Sequence, residues 1–342
     1  MISDKLSGIW STYSLIKELS SINSPEVNEN VLNRVMYNSE ALPPFGKEYW
    51  WLLFMGLNGE KPIQFMLLIF RKYGKKMLFN EKEMVFRNLG KNEFQAVTSG
   101  WIFDGSNMHD LGDTNACVMI QNDRIISDIS GQQMILSGFY PNYKLELGDT
   151  VDLIINSKYF LQDKAAHGVF LPPFGMGWID VFSMAEGKIL GKRFKGASHL
   201  QKVVGVTMFG PFYWMRLIFQ NGSVATFFCL KAGKDSNRFF HESFTFYDNE
   251  YNKIIQFNNP KLKIISNGEK SSWIVEGKDS DKESRMVLET ISRKQFTIKG
   301  GGSQVYIEYV VMPREFCLKT KERVIVLNDL GNGSGTFEDA YW

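Results

Sequence analysis

From residue 42 onward, short runs of apolar residues alternate with polar positions and are separated by turn dipeptides. This rhythm is typical of an all-β protein built from antiparallel strands. Asn-Gly pairs at residues 58–59, 221–222 and 267–268 predict hairpin turns, because Asn and Gly tolerate the positive φ angles that tight hairpins need. The pattern therefore predicts a meander of hairpins over most of the chain.

The N-terminal segment follows a helical spacing instead. Leu6, Ile9 and Tyr13 recur every three or four residues, and Ser24 followed by Pro25 predicts the start of a second helix. We expect both helices to pack on a barrel or across it. A role of their apolar stripes in transient contact with a membrane surface is the minor alternative.

Two of the predicted hairpins resemble each other, since Trp51 stands as far before Asn58 as Trp214 stands before Asn221. The offset of 163 residues predicts a tandem repeat whose halves each close a barrel, which removes the exposed edges of a sheet. The motif Leu-Pro-Pro-Phe-Gly also occurs twice, either by coincidence or as two matching strand entries. The short charged segment 187–195 is the predicted linker. The predicted parts are a helical N-terminal extension at residues 1–41, a first barrel at residues 42–187 and a second barrel at residues 188–342.

The composition, with 44% apolar and 22% charged residues and a net charge of +2, excludes disordered chains and offers no basic surface for nucleic acid. The 27 Phe, 13 Tyr and 8 Trp favour strands. Three cysteines in apolar contexts and four widely spaced histidines predict neither disulfides nor a metal site. No signal-peptide pattern is visible, and the longest apolar runs are too short to span a bilayer, which predicts a cytoplasmic protein.

The interior of a small barrel can hold one ligand. The inward-facing candidates here are large and aromatic, which suits an elongated apolar guest that a few polar side chains orient. We expect such a hollow in the second barrel above all. The same aromatic side chains could instead fill a solid core, and both interpretations stay open at this point.

The run Glu-Tyr-Trp-Trp at 48–51, followed by an Asn-Gly hairpin, resembles the opening of the AttH and carotenoid-hydratase family of tandem lipocalin-like proteins. Residues 335–342 are similar to that family's closing strand, residues 178–205 to its domain junction, and Trp214 to the start of the strand that follows. The family includes carotenoid hydratases, tocopherol cyclases and fungal lipocalin-like cyclases. The resemblance implies two tandem lipocalin-like antiparallel β-barrels and an isoprenoid-like or polyketide-like apolar substrate, without a metal or organic cofactor.

The chain departs from this family at the start of the second barrel. Hydratases of the family carry an Asp-His pair there, which can protonate an alkene, whereas Gln201 and Lys202 stand at these positions here. An amide is no acid near neutral pH, and a solvated lysine with a pKa of about 10.4 is too weak an acid. His199 shares its strand face with Gln201, so we expect either to orient a ligand inside the second barrel. His199 is then the displaced acid, or else a structural histidine on the rim.

Glu242 is the sharper candidate for a catalytic acid. It alternates with Phe240, Phe244 and Phe246, which predicts a carboxyl group on an aromatic strand face. Burial there would raise its pKa and preserve the neutral carboxyl group that can protonate an alkene. The opposite register would place His241 inside instead.

Further side chains are candidates for binding the substrate. Arg216 could anchor a carboxylate or phosphate group, or it extends from the outer face. The aromatic candidates could line a ligand or merely pack in the core, and Asp180 is predicted to face solvent. The predicted substrate-binding residues are Trp214, Tyr213, Arg216, Gln201, Trp178 and Phe244.

We expect the chain to bind a hydrophobic isoprenoid-like or polyene-like molecule. Acid catalysis and templating of the substrate would then hydrate, cyclise or isomerise it. A carrier that holds an apolar ligand without chemistry is the alternative. A third interpretation is a protein that binds or cleaves glycans, for which the sequence shows no pair of acids on one apolar face.

Overall fold

The computed structural model describes residues 2–22, 28–39, 41–90, 92–157, 165–206, 210–233, 239–267, 270–300 and 303–341. The predicted helix cap at Ser24 and Pro25 lies outside these residues, as does Gly268 of one predicted hairpin turn. The all-β prediction is confirmed, because strands make up most of the described chain. The helices are α1 (Ile2–Ser21), α2 (Glu29–Met36) and α3 (Leu327–Leu330).

Contacts between Cα atoms divide the chain into two compact units, and the first unit comprises residues 1–54, 65–102 and 110–209. Its strands alternate apolar and polar positions, as the sequence predicts. They are β1 (Gly46–Asn58), β2 (Lys61–Lys72), β3 (Lys76–Phe79), β4 (Lys82–Val85), β5 (Asn88–Gly90), β6 (Glu93–Phe103), β7 (Met108–Gln121), β8 (Arg124–Ile129), β9 (Gln132–Phe139), β10 (Asn142–Leu147), β11 (Val151–Ser157), β12 (Ala166–Leu171), β13 (Phe174–Ile189) and β14 (Lys192–Val206).

The first unit is a closed antiparallel barrel. The strand order is β11-β10-β9-β8-β7-β6-β2-β1-β14-β13, and β13 pairs again with β11, which closes the ten strands. Aromatic side chains fill the interior, where Trp50 stacks on Phe94 with ring centroids 6.1 Å apart. Helix α1 packs against β12 and β13, as expected of an apolar helix beside a barrel. A Cβ atom on Gly168 of β12 would lie 2.4 Å from the backbone nitrogen of Ser20 on α1, so only glycine allows this close approach.

The second unit comprises residues 55–64, 103–109 and 210–342. The order of its paired strands is β18-β17-β16-β15-β24-β22-β21-β20-β19, and β23 pairs with β22. The strands are β15 (Phe212–Phe219), β16 (Val224–Lys231), β17 (Phe239–Asp248), β18 (Lys253–Phe257), β19 (Lys261–Asn267), β20 (Lys270–Lys278), β21 (Lys282–Lys299), β22 (Ser303–Thr320), β23 (Val324–Val326) and β24 (Gly333–Tyr341).

One face of the second sheet is packed with its own side chains. Trp273 stacks on Phe337 with ring centroids 3.9 Å apart, and Phe244 stacks on Phe257 at 5.4 Å. Both pairs belong to one buried apolar cluster. Large aromatic rings therefore occupy the described part of this face, and the guest-sized hollow expected in the second barrel stays a prediction.

The predicted domain boundary near residue 188 is also wrong. Strands β13 and β14 pair along their whole length, from Ile189 with Lys192 to Gly175 with Val206. The predicted linker is thus a hairpin turn, in which Leu190 adopts a φ of 51° and Gly191 a φ of 73°. Charge and glycine mark this turn as readily as they mark a linker, so composition alone misplaced the boundary.

Candidate functional site

A group of charged side chains lies on one face of three neighbouring strands, β15, β24 and β22. Trp214 pairs with Glu338, and Glu338 pairs with Glu308 on its other side. Because side chains alternate between the faces of a strand, these three share the face opposite to the buried cluster that contains Phe337. The register therefore places two carboxyl groups side by side next to an indole ring.

Both carboxyl groups are buried, with Glu308 at 0% and Glu338 at 5% exposure. Burial raises the pKa of Glu338 well above its ordinary value, and the charge of Glu308 raises it further. A hydrogen bond with Tyr306 and the charge of Arg216 oppose this shift without cancelling it. The pair therefore retains a proton at a pH at which a solvated glutamate is ionised.

The two acids have different neighbours. On the strand beyond Glu308, the register places Lys294 directly opposite, and its ammonium lies 5.8 Å from the ring centroid of Phe296. Burial and the charge of Glu308 raise the pKa of Glu338, so we assign the proton of the pair to Glu338.

Arg216 is buried on the same face, with 7% exposure, and does not extend into solvent. Its guanidinium carbon lies 5.3 Å from the ring centroid of Trp214. Three half-buried aromatic rings lie on the same face beside these residues. The ring centroid of Phe212 lies 6.2 Å from that of Phe228 and 6.4 Å from that of Tyr306. We name Glu308, Glu338, Arg216, Trp214 and Tyr306 the acid-pair site.

The sequence analysis found Trp214 and Arg216 but missed the two acids. The statement that no pair of acids lies on one apolar face is wrong, because register brings Glu308 and Glu338 together from different strands. One signal was available, since Glu308 interrupts the apolar run from Val305 to Val311. A lone carboxyl group in a buried strand points to a partner or to chemistry.

Glu242, Tyr213 and Phe244 lie on the other face of the second sheet. Phe244 is a core residue, and Glu242 pairs with Cys229, which in turn pairs with Tyr213. Glu242 thus faces the aromatic side, as the alternation predicts, and burial raises its pKa. It lies near the end of its strand and is only half-buried.

An ion pair that the sequence analysis missed completes this end of the second sheet. Lys231 Nζ lies 2.5 Å from Asp339 Oδ1 and 4.0 Å from the ring centroid of Tyr213. Burial raises the pKa of Asp339 despite the lysine, and burial raises the pKa of the Cys229 thiol to about 12. This polar end holds a satisfied ion pair and an inert thiol beside Glu242.

His199 and Gln201 lie on β14, so they belong to the first barrel and not to the second. His199 is fully buried, with Nε2 2.8 Å from Asp180 Oδ1 and its ring 5.1 Å from that of Trp51. The prediction that Asp180 faces solvent is wrong, because it pairs with this histidine. Of the remaining predicted residues, Trp178 stacks on His167, with ring centroids 5.1 Å apart.

Lys202 is fully buried and not solvated. Its Nζ donates to Glu48 Oε1 and to the carbonyl of Asn38, each at 2.6 Å, and lies 3.3 Å from the ring centroid of Trp50. Arg71 Nε donates to the other carboxylate oxygen of Glu48 at 2.7 Å. The ammonium group of Lys202 thus has its hydrogen-bond and ring partners within the barrel, which makes Lys202 a structural residue in this arrangement.

In the part of the chain that the structure describes, no group of three or more His, Cys, Asp or Glu side chains is placed to hold a metal ion. Among the described helices, none combines the length and the apolar character needed to cross a membrane.

No protein-family model matches the chain, and no curated protein matches it. Among solved structures, it is similar to a protein from Nitrosomonas europaea that is provisionally assigned as an AttH, with 12% identity and a TM-score of 0.46 over 86% of this chain and 91% of the other. It is also similar to kievitone hydratase from Nectria haematococca, with 9% identity and a TM-score of 0.43 over 86% and 89% of the two chains.

Proposed function

We propose that the acid-pair site binds an apolar, alkene-bearing molecule and adds water to it, or cyclises or isomerises it, by acid catalysis. The observation that carries this proposal is the pair of buried carboxyl groups of Glu308 and Glu338, which pair directly across two strands. Catalysis of this kind needs a neutral acid and a nearby base, and two carboxyl groups whose surroundings separate their pKa values provide both.

Glu338 is the acid in this reaction. Its carboxyl group transfers a proton to one alkene carbon, the π electron pair forms the new C–H bond, and the neighbouring carbon becomes a cation. The ring faces of Trp214 and the half-buried phenylalanines stabilise such a cation through their quadrupoles.

Glu308 is the base. In hydration, water attacks the cation and the carboxylate of Glu308 accepts the proton that the water loses. In isomerisation, the same carboxylate removes a proton from a carbon beside the cation. In cyclisation, the π electron pair of a second double bond of the substrate first forms a C–C bond to the cation, and the carboxylate then removes a proton beside the new cationic carbon. The proton then passes from Glu308 to Glu338, which restores the starting state because the two groups are adjacent. Arg216 orients a polar or anionic end of the substrate.

The experiment incubates the protein with a panel of isoprenoid polyenes in ¹⁸O-labelled water and follows product mass. Hydration adds one labelled water, and cyclisation changes retention without a change in mass. We expect Glu338→Gln to lower turnover at least about 100-fold while the polyene still binds. Glu250→Gln, at a side chain with 70% exposure, is the matched control and should leave turnover unchanged.

Three results would move the assignment elsewhere. Loss of turnover in Glu242→Gln with full activity in Glu338→Gln would place the acid at the polar end of the second sheet. Recovery of every polyene unaltered, although bound, would favour the carrier. Cleavage of oligosaccharides that depends on Glu308 and Glu338 would favour glycoside hydrolysis, which also uses two carboxyl groups.

A further inference from the structure

An exposed apolar surface lies at one end of the first barrel. Phe45 is 69% exposed, Leu171 is 70% exposed and Phe174 is 49% exposed, and Tyr73 beside them is 52% exposed. Singly exposed apolar residues are ordinary, but several large ones together mark a contact surface. We name Phe45, Tyr73, Leu171 and Phe174 the apolar tip.

Strand direction explains why these residues share one end. β2 ends at Lys72, and the backbone amide of Tyr73 donates to the carbonyl of Gly46 at the start of β1, at 2.7 Å. The end of β14 meets the start of β13, where Gly175 pairs with Val206. Lys202 on β14 reaches Glu48 on β1, so the same end of all four strands lies together.

Helix α1 ties the two Leu-Pro-Pro-Phe-Gly segments to this end. The hydroxyl of Thr12 donates to the carbonyl of Ala41 at 3.3 Å, and the hydroxyl of Tyr13 donates to the carbonyl of Pro173 at 3.1 Å. Adjacent helix residues therefore fix both segments beside the barrel. The two copies of the motif, at residues 42–46 and 171–175, present Phe45 and Phe174 to solvent.

Three lysines lie next to residues of the apolar tip in the chain. Lys47 follows Phe45 and Gly46 directly, Lys72 precedes Tyr73, and the exposed Lys75 lies two residues further on. Burial, and to a smaller extent the charge of Lys72, lower the pKa of Lys47 to about 8. Large apolar side chains surrounded by lysines are the combination that binds the surface of an anionic bilayer.

We propose that the apolar tip docks the protein on the surface of a membrane that contains anionic phospholipids. Phe45, Leu171 and Phe174 enter the boundary between head groups and acyl chains, and Tyr73 lies at head-group level. Lys72 and the exposed Lys75 contact the lipid phosphates. Docking is independent of the acid-pair site, because it needs neither substrate nor turnover.

Sedimentation with lipid vesicles tests the proposal on the full chain. We expect binding to vesicles of phosphatidylcholine mixed with phosphatidylserine, and at least tenfold weaker binding to phosphatidylcholine alone. Added salt should weaken the binding, because it screens the lysines. Equal binding to both vesicles, or none to either, would overturn the proposal.

Substitutions locate the surface. Phe45→Asn removes the ring and keeps the backbone, since Phe45 has a φ of 62° and Asn tolerates this region. We expect Phe45→Asn and Leu171→Ser each to weaken binding about tenfold. Ile154→Ser is the matched control, because Ile154 is 61% exposed on β11 and pairs with Glu186, far along β13 from Phe174.

Removing the charge of Lys72 should have a smaller effect. Lys72→Gln is expected to weaken binding to the anionic vesicles about fivefold and to leave the unfolding curve unchanged. Weakening by Ile154→Ser as large as that by Leu171→Ser would show that the contact is unspecific. A change in oligomeric state of the Phe45→Asn variant would instead assign the tip to a second copy of the chain.

Discussion

Two buried glutamates, Glu48 in the first barrel and Glu338 in the second unit, differ in the charges around them. Glu48 accepts hydrogen bonds from Lys202 and Arg71, and the hydroxyl of Ser39 donates to it at 2.6 Å. These partners lower its pKa although burial opposes them. Glu338 lies beside a second carboxyl group, and its pKa is raised.

The charges around a buried carboxyl group, and not burial alone, decide whether it is structural or suited to chemistry. Two cations around Glu48 fix it in the ionised form, in which it can only accept hydrogen bonds. Glu338 faces one arginine and one carboxylate neighbour, so its neutral form persists and can give up a proton. The same residue type thus has opposite uses in the two units.

The side chains around Glu48 also hold the segment after α2 against the first barrel. Lys202 donates to the carbonyl of Asn38, and the indole nitrogen of Trp50 donates to the carbonyl of Met36 at 2.9 Å. Arg71 donates to the hydroxyl of Ser39. The segment after α2 is therefore fastened to the interior of the first barrel by the same cations that neutralise the carboxylate.

Loss of the charge of Glu48 should have the largest effect. In Glu48→Gln, Arg71 and Lys202 remain buried without a counter-ion, and we expect the free energy of unfolding to fall by about 3–5 kcal/mol. Urea unfolding followed by tryptophan fluorescence measures the change. Glu83→Gln is the control, because Glu83 pairs with Lys76 at the surface and its loss should change little. Equal effects of the two substitutions would contradict the structural role of Glu48.

The contributions of the two glutamates to the free energy of unfolding should change with pH in opposite directions. The lowered pKa of Glu48 gives stability that is present above the ordinary value of 4.5 and is lost as the pH falls through its pKa in the folded state. The raised pKa of Glu338 gives stability that is present below 4.5 and is lost as the pH rises through its pKa in the folded state.

Unfolding free energies measured across this pH range check both signs. In Glu48→Gln, the free energy of unfolding should fall less steeply as the pH decreases below 4.5. In Glu338→Gln, it should fall less steeply as the pH rises above 4.5. Each unit of pKa shift corresponds to about 1.4 kcal/mol. If Glu338→Gln left the neutral side unchanged, the two carboxyl groups would not share a proton.

Local pattern predicted the fold class but not the site. The hairpin turns at Asn58 and Asn221 and the all-β class followed from the spacing of apolar residues, because alternation and turn residues act over a few positions. The partner of Lys202 lies 154 residues away, at Glu48. Only the pairing order of the strands brings such residues together, and no local pattern specifies that order.

The acid pair was missed for the same reason. Glu338 was part of the closing motif, yet its significance depends on Glu308, which belongs to a strand on the far side of α3 in the chain. Glu242 was found because its signal is local, as it alternates with Phe244 and Phe246 on one strand. A sequence therefore reveals a carboxyl group on an aromatic face more readily than it reveals a pair of them.

The smallest expected effect concerns the stability of Glu338→Gln at neutral pH. This substitution removes one of two adjacent carboxyl groups, and the new amide can donate a hydrogen bond to Glu308. We expect the free energy of unfolding to stay unchanged or to rise by about 1 kcal/mol, opposite in sign to Glu48→Gln. Groups arranged for chemistry commonly cost stability, whereas groups that fasten a fold supply it. A loss of stability as large as that of Glu48→Gln would make Glu338 a structural residue and would leave Glu242 as the candidate acid.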